Sequence, residues 1–176
     1  TLVAALAVAE AIKDVTGLDA RIKWPNDIVI NGKKICGILT EMSAQFDYIN
    51  HIVIGIGINV HNEAFPEEIS AVAGSILLES GGRRFRRAEI IEKTLEHFEE
   101  YYEIYLQTED LSALTADYNA LLVNMNKQVK VLDPKDEFEG KAMGITAKGE
   151  LIVDTWESRK LVSSGEVSVR GIYGYV

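Results

Sequence analysis

The 176-residue sequence predicts an α+β chain that ends in a small β-barrel of the SH3 kind. Three observations carry this expectation. Apolar residues recur at helical spacing in two stretches: Ile91, Leu95, Phe98, Tyr102 and Tyr105, then Leu111, Leu114, Tyr118 and Leu121. Two strand-like runs, 28–30 and 33–42, flank Asn31-Gly32, the strongest short hairpin signal a sequence offers. After Asn126 the texture changes to short strands separated by tight turns.

Taken in order, residues 2–15 read as an Ala-rich helix packed flat against a neighbouring layer, with Gly17 as its C-terminal cap. A short strand over 21–24 leads into the hairpin. Pro25 holds Trp24 extended and opens a turn in which Asn26 and Asp27 suit the corner positions. Residues 49–60 are almost continuously apolar, so that strand is expected to be central and buried on both faces. The two amphipathic helices follow, each with one apolar stripe facing a core. Short strands over 129–131, 138–145, 151–153 and 167–169 close the chain, with turns at Asp133-Pro134 and Lys148-Gly149. The boundary falls near 125–127, giving domains 1–126 and 127–176.

Acidic residues number 27 against 18 basic ones, a net charge of −9. Residues 127–176 hold eight of each, so the whole excess belongs to the first part, much of it in 86–110 as the solvated face of a helix. This balance argues against sequence-independent nucleic-acid binding, which needs a basic footprint. The single Cys36 excludes an intramolecular disulfide framework and a cysteine-built zinc site. No apolar run approaches the roughly 18–20 residues of a membrane helix and no signal peptide is visible, so a cytoplasmic location is expected. Position 1 is Thr rather than Met, which suggests a fragment or a processed product.

The densest chemistry lies in Lys23-Trp24-Pro25-Asn26-Asp27 and the hairpin after it. A two-residue loop at Asn31-Gly32 pairs Ile30 with Lys33, Val29 with Lys34 and Asp27 with Cys36. It then places Asp27, Val29, Lys34, Cys36 and Ile38 on one face, with Gly37 a bare spot on the other. Asp27 and Lys34 become diagonal neighbours roughly 7–8 Å apart at Cα. Two readings follow: a surface ion pair beside a turn, or a phosphate site in which the lysine is a point charge and the carboxylate approaches through a divalent metal. A one-residue slip would move Lys34 to the other face, so spacing leaves both open.

Gly55-Ile56-Gly57-Ile58-Asn59 is not the dinucleotide fingerprint, because Val60 stands where a third glycine is required. Glycines two apart strip one strand face, either for close packing or for a flat ligand, and Asn59 falls on that same face. His51, His61 and His97 read as surface residues rather than metal ligands.

Lys23-Trp24-Pro25-Asn26-Asp27, then Lys34-Ile35-Cys36-Gly37-Ile38-Leu39-Thr40-Glu41, then Ile54-Gly55-Ile56-Gly57-Ile58-Asn59-Val60 resemble, in order and spacing, the biotin–protein ligases. These are also called biotin–[acetyl-CoA-carboxylase] ligases or holocarboxylase synthetases. The likeness covers essentially the whole chain, including Gly165-Glu166-Val167-Ser168-Val169-Arg170 near its end. It implies a mixed sheet with helices on one side, followed by the SH3-like barrel. It implies ATP-dependent formation of biotinyl-5′-AMP, then transfer of biotin to a lysine of a biotin carboxyl carrier protein, with Mg²⁺ beside the phosphates. Lys34 matches the lysine that neutralises charge as the mixed anhydride forms. Asp27 matches a position beside the phosphates and Mg²⁺, with Asn59 its neighbour. Gly37, Gly55 and Gly57 match positions that make room for the flat rings, Ile38 and Leu39 supply apolar contact, and Arg170 reaches the nucleotide. Lys23, Trp24 and Asn26 shape the turn. Homodimerisation is common in such enzymes.

The family's Gly-Arg-Gly-Arg-x-Gly-Arg loop, ahead of the helix that opens this chain, has no match here. Nor does the DNA-binding winged helix that many members carry further upstream. The resemblance therefore predicts the C-terminal part of a ligase, supplying the adenylate half of the site and weakly active or inactive by itself. Its parent has room for a DNA-binding domain, while this chain is expected to contact neither nucleic acid nor membrane. Two other readings stand beside it: a non-catalytic binding or dimerisation module, and a lipoate or octanoate ligase on the same scaffold. The Trp-Pro-Asn-Asp run and the barrel weigh against the latter.

Overall fold

The computed structural model describes residues 1–45, 48–133, 136–165, 168–172 and 174–176. Pro134, Glu166 and Val167, assigned above to a turn, a motif and a strand, lie outside the described residues. Helix α1 (Leu2–Thr16) ends at Gly17, which adopts φ 73° and donates its N–H to the Lys13 carbonyl, closing the last turn. Strands β1 (Arg21–Lys23), β2 (Asp27–Ile30), β3 (Lys33–Ala44) and β4 (Ile49–Ile58) form an antiparallel sheet in that order. Short helices α2 (Glu67–Ser70) and α3 (Ile76–Glu79) lead to α4 (Arg87–Thr108) and α5 (Thr115–Leu121). The last segment carries β5 (Gln128–Leu132), β6 (Phe138–Ile145), β7 (Leu151–Asp154), β8 (Arg159–Val162) and β9 (Ser168–Gly171) in a second antiparallel sheet, ordered β8-β7-β6-β5-β9. Parallel pairing is confined to isolated bridges, Ile22 with Leu122 and Lys34 with Ala73, among the described residues.

Helix α1 is apolar nearly all round, and Ala4, Leu6, Val8, Ala11 and Ile12 are fully buried, as an interior helix requires. Its small alanines let α4 approach on one side while β1 and β2 lie on the other. One contiguous core runs through both sheets: Ile22, Trp24, Ile28 and Ile35 from the first, Val129, Val131, Leu151 and Val153 from the second. Each such fully buried aliphatic side chain contributes about 1.5–3 kcal/mol. The four α5-region residues read from spacing, Leu111, Leu114, Tyr118 and Leu121, are all buried. Trp24 joins the sheets directly, its indole N–H donating to the Gly149 carbonyl at 3.0 Å. Among the described residues no helix is long and apolar enough to cross a membrane.

Three elements differ from expectation. Among the described residues strand β4 is not central: it is an edge strand of its sheet, as β1 is at the other side, and Ile49, Ile52 and Val53 are all more than half exposed. Its continuous apolar run reads as two-sided burial, but among the described residues it pairs on one edge alone, and Ile54 and Ile58 are the members packed against the core. Helix α4 is turned from the expected stripe: Phe98 and Tyr105 pack against the core as read, but they do so beside Ile90, Thr94, His97, Tyr101 and Ile104, while Ile91, Leu95 and Tyr102 are 58%, 63% and 44% exposed. The inward polar groups are satisfied, Thr94 by the Ile90 carbonyl and His97 by Asp14 at 2.8 Å, so a core-facing row need not be apolar throughout. Finally, β8 went unread because Arg159-Lys160-Leu161-Val162 is a charged sheet edge rather than an alternating strand.

Candidate functional site

The site begins at the hairpin. Asn31 and Gly32 take φ 50° and 78°, the left-handed pair of a two-residue turn, and Ile30 faces Lys33 and Val29 faces Lys34 as the spacing implied. The register then breaks: Ile28 pairs with Cys36 and Asp27 with Gly37. Ile35 is thus an extra residue in β3, a β-bulge. The expected pairing of Asp27 with Cys36 is corrected accordingly. Paired residues share a face, so Gly37 joins Asp27, whereas Cys36 and Ile38 turn toward the helices and are 1% and 2% exposed. Ile38 is therefore a core residue on the opposite face, not a side chain beside Lys34.

The bulge keeps Lys34 on the Asp27 face. Its Nζ lies 2.6 Å from Asp27 Oδ1. The contact is electrostatic rather than directed: Oδ1 is buried and receives no aligned hydrogen bond among the described residues. The other oxygen, Oδ2, accepts a short bond from the Tyr175 hydroxyl. Lys23 is 5% exposed and its ammonium stacks on the Tyr175 ring, 4.3 Å from the centroid. Burial pulls the Lys23 pKa below the usual lysine value. Asp27 opposes this, and the nearby charges of Lys34 and Arg170 reinforce it. Burial, with Asp27's charge added, pushes the Cys36 thiol up to about 12, so it is no nucleophile at neutral pH.

Asp27, Lys34, Lys23, Arg170 and Tyr175 border one cavity of about 300 Å³ at the junction of the two sheets. Three cations there face one carboxylate, a field suited to an anionic ligand. From this cavity an open face extends along Gly37–Gly57 and Leu39–Gly55, the cross-strand pairs of β3 and β4. An added Cβ would come no closer than 3.7 Å to any atom at Gly55 or 3.8 Å at Gly57, so nothing in the fold demands glycine there. Leu39 is 62% exposed on the same face. Asn59 continues the row, but its amide N–H donates to the Gly74 carbonyl at 3.1 Å. Other grooves, about 540 Å³ beside Trp156 and about 440 Å³ between Ile54 and Tyr102, include neither Lys34 nor Asp27.

Magnesium is usually held through one or two carboxylates together with substrate phosphates. Asp27 is one carboxylate with both oxygens engaged, and the described residues contain no group of three or more His, Cys, Asp or Glu able to hold a metal. Asp27 alone could therefore hold magnesium only together with substrate phosphates. His61 bonds the Phe85 carbonyl at 2.8 Å and His97 bonds Asp14, outside this cavity.

Sequence reasoning gave Lys23 a shaping role and missed its burial against the site. It missed Tyr175 altogether, because 148 residues separate it from Asp27 and no local pattern links them.

Comparison with known proteins places these residues in context. The pattern described as "Biotin/lipoate A/B protein ligase family" matches residues 1–59, and that of "Biotin protein ligase C terminal domain" matches 125–170. The bifunctional ligase/repressor BirA of Bacillus subtilis is 37% identical over 171 residues, covering 96% of this chain and 52% of that protein. The biotin–[acetyl-CoA-carboxylase] ligase of Mycobacterium tuberculosis is 31% identical, covering 95% of this chain and 60% of its own length. The chain thus spans about half the length of such curated relatives. The apo biotin protein ligase of Aquifex aeolicus superposes with a TM-score of 0.85 at 30% identity, covering 97% of this chain and 73% of that one. The same enzyme in complex with biotin and ATP gives 0.83, covering 97% and 70%.

Proposed function

Because the chain belongs to the biotin protein ligase family, we propose that it supplies the adenylate half of a site that activates biotin with ATP and passes it to a carrier protein. In the first step an oxygen of the biotin carboxylate attacks the α-phosphorus of ATP. The bond to the bridging oxygen breaks and pyrophosphate leaves with its electron pair, giving biotinyl-5′-AMP. In the second, a lysine amine of a biotin carboxyl carrier protein attacks the acyl carbon, AMP departs, and the amine loses its proton.

The observation that carries this reading is the junction cavity with its adjoining bare face. Lys34, Arg170 and Lys23 bring positive charge to one cavity, where they offset the charge that develops on the phosphoryl oxygens. Asp27 holds the Lys34 ammonium, and Tyr175 holds Asp27. Gly37, Gly55 and Gly57 form a floor without side chains, edged by Leu39, on which a flat ring system lies. Mg²⁺ would be held by the nucleotide phosphates beside Asp27, where it would offset their charge. We treat 1–126 as the ligase domain and 127–176 as the barrel that supplies Arg170.

The test is incubation of the protein with ATP, biotin and a carrier domain. Biotin-dependent pyrophosphate release followed by biotinylated carrier supports the reading. Neither product would leave a non-catalytic module, and competition by lipoate would indicate the other acyl substrate.

A further inference from the structure

We propose that the two adjacent lysines of the hairpin divide the site between them: Lys34 meets the ligand, and Lys33 is a positioning residue that holds the apolar wall of the same cavity in place. The proposal rests on the adenylate reading of that cavity given above and adds the residue that seats its second wall.

The described residues bordering the cavity include Lys34 but not Lys33, and beside the charged groups they include Ile69, Val72 and Ala73. Those three belong to α2 and the turn after it, a piece of chain too short to hold itself: α2 has four residues and none of them is buried. Ile69 is 45% exposed, so burial does little to seat the segment and its polar contacts decide where the wall stands. Those contacts come from β3. The α2 turn leaves the carbonyls of Ser70 and Ala71 open, and Lys33 Nζ donates to both, at 3.1 and 2.5 Å. A cation on the last carbonyls of a helix also meets the negative end of its dipole. The main chain of Lys34 then takes over, its N–H donating to the Val72 carbonyl at 2.7 Å and its carbonyl accepting from the Gly74 N–H at 2.9 Å. One lysine by its side chain and the next by its backbone thus grip the segment at consecutive points. The fit is close, since a Cβ on Gly74 would lie 2.7 Å from Lys33 Cβ and 3.0 Å from Ile35 Cδ1. Removing the Lys33 ammonium frees the end of α2 that carries Ile69 and Val72 into the cavity border, without touching Lys34 or Asp27.

The test compares Lys33→Met, which keeps the stem and removes the ammonium, with Lys33→Arg, whose forked donors can serve both carbonyls, in the full-length protein. The readouts are biotin-dependent pyrophosphate release and amide hydrogen exchange of the ligand-free protein. Lys33→Met is expected to raise KM for ATP about tenfold with kcat within about twofold of wild type, and to exchange the Val72, Ala73 and Gly74 amides about tenfold faster. Lys33→Arg should return both quantities to within about threefold of wild type. An unchanged KM, or a loss confined to kcat, would overturn the proposal. Unchanged exchange in Lys33→Met would overturn it too, because a lysine that acts on the nucleotide directly leaves the ligand-free segment as it was. Equal defects in the two variants would do the same. Absence of pyrophosphate release from the wild type would instead refute the ligase reading, while the exchange data still judge the hold of Lys33 on the wall.

Discussion

Gly37 and Lys34 compete for one volume: a Cβ on Gly37 would lie 3.2 Å from both Cε and Nζ of the lysine. The lysine reaches Asp27 by lying across the strand at the spot where Gly37 has no side chain. Because the crowded atoms are the far end of a flexible chain, Gly37→Ala should leave the fold intact and displace the ammonium. We expect biotin-dependent pyrophosphate release to fall about fivefold, the equivalent of about 1 kcal/mol, with the thermal midpoint nearly unchanged. An equal loss of stability would show that Gly37 serves the fold instead.

Removing the ammonium should cost more. A hydrogen bond to a charged group contributes about 1.5–3 kcal/mol, so Lys34→Ala is expected to slow adenylate formation by about 10–150-fold. Pyrophosphate release at the wild-type rate from this variant would end the assignment of Lys34.

The bare face gives a separate check. Gly55→Ala and Gly57→Ala meet only ordinary contacts, so neither should shift the thermal midpoint by more than about 2 °C. Affinity for biotinyl-5′-AMP, measured by calorimetry, should nevertheless fall about tenfold as methyls rise into the ligand's plane. Unaltered affinity would move the ligand off this face.

The buried thiol makes stability depend on alkaline pH. Cys36 is raised from an ordinary value of 9.0 to about 12, so between these values the unfolded chain has lost a proton that the folded chain keeps. The contribution is intact below pH 9 and declines as pH rises, by up to about 1.4 kcal/mol per unit. Denaturation in urea from pH 8 to 10.5 should show this decline, and Cys36→Ala should lessen it. Iodoacetamide at pH 8.5 should leave the native thiol unmodified.

The rotation of α4 can be checked by paired truncations. Ile90→Ala, at a fully buried position, should cost about 2–4 kcal/mol, and Leu95→Ala, 63% exposed, less than about 0.5 kcal/mol. The reverse order would restore the stripe read from apolar spacing.

Local rules made much of this fold legible. The Asn31-Gly32 turn, the Gly17 cap and the α5 row depend on residues near in sequence, and each follows from its own chemistry. The bulge escaped because nothing in the spacing marks Ile35 as an extra residue, and the partners of Lys34's backbone, Val72 and Gly74, lie outside the hairpin. The inward row of α4 escaped because Thr94 and His97 have their partners supplied by structure, one by its own helix and one by α1. Of the site, Asp27, Lys34 and Arg170 were visible as motif residues and do border one cavity. Ile38 was misplaced by the one-residue slip of the bulge, and Tyr175 left no local trace.

The bond from the Trp24 indole to the Gly149 carbonyl has a genetic consequence. Lys23-Trp24-Pro25-Asn26-Asp27 is fastened to a turn of the second sheet, with Trp24 1% exposed. Lesions in that turn, far from Lys34 in sequence, should surface in a screen as alleles that loosen the Asp27–Lys34 cavity without touching it. Their suppressors should fall in 147–149 and 23–27 rather than around the lysine.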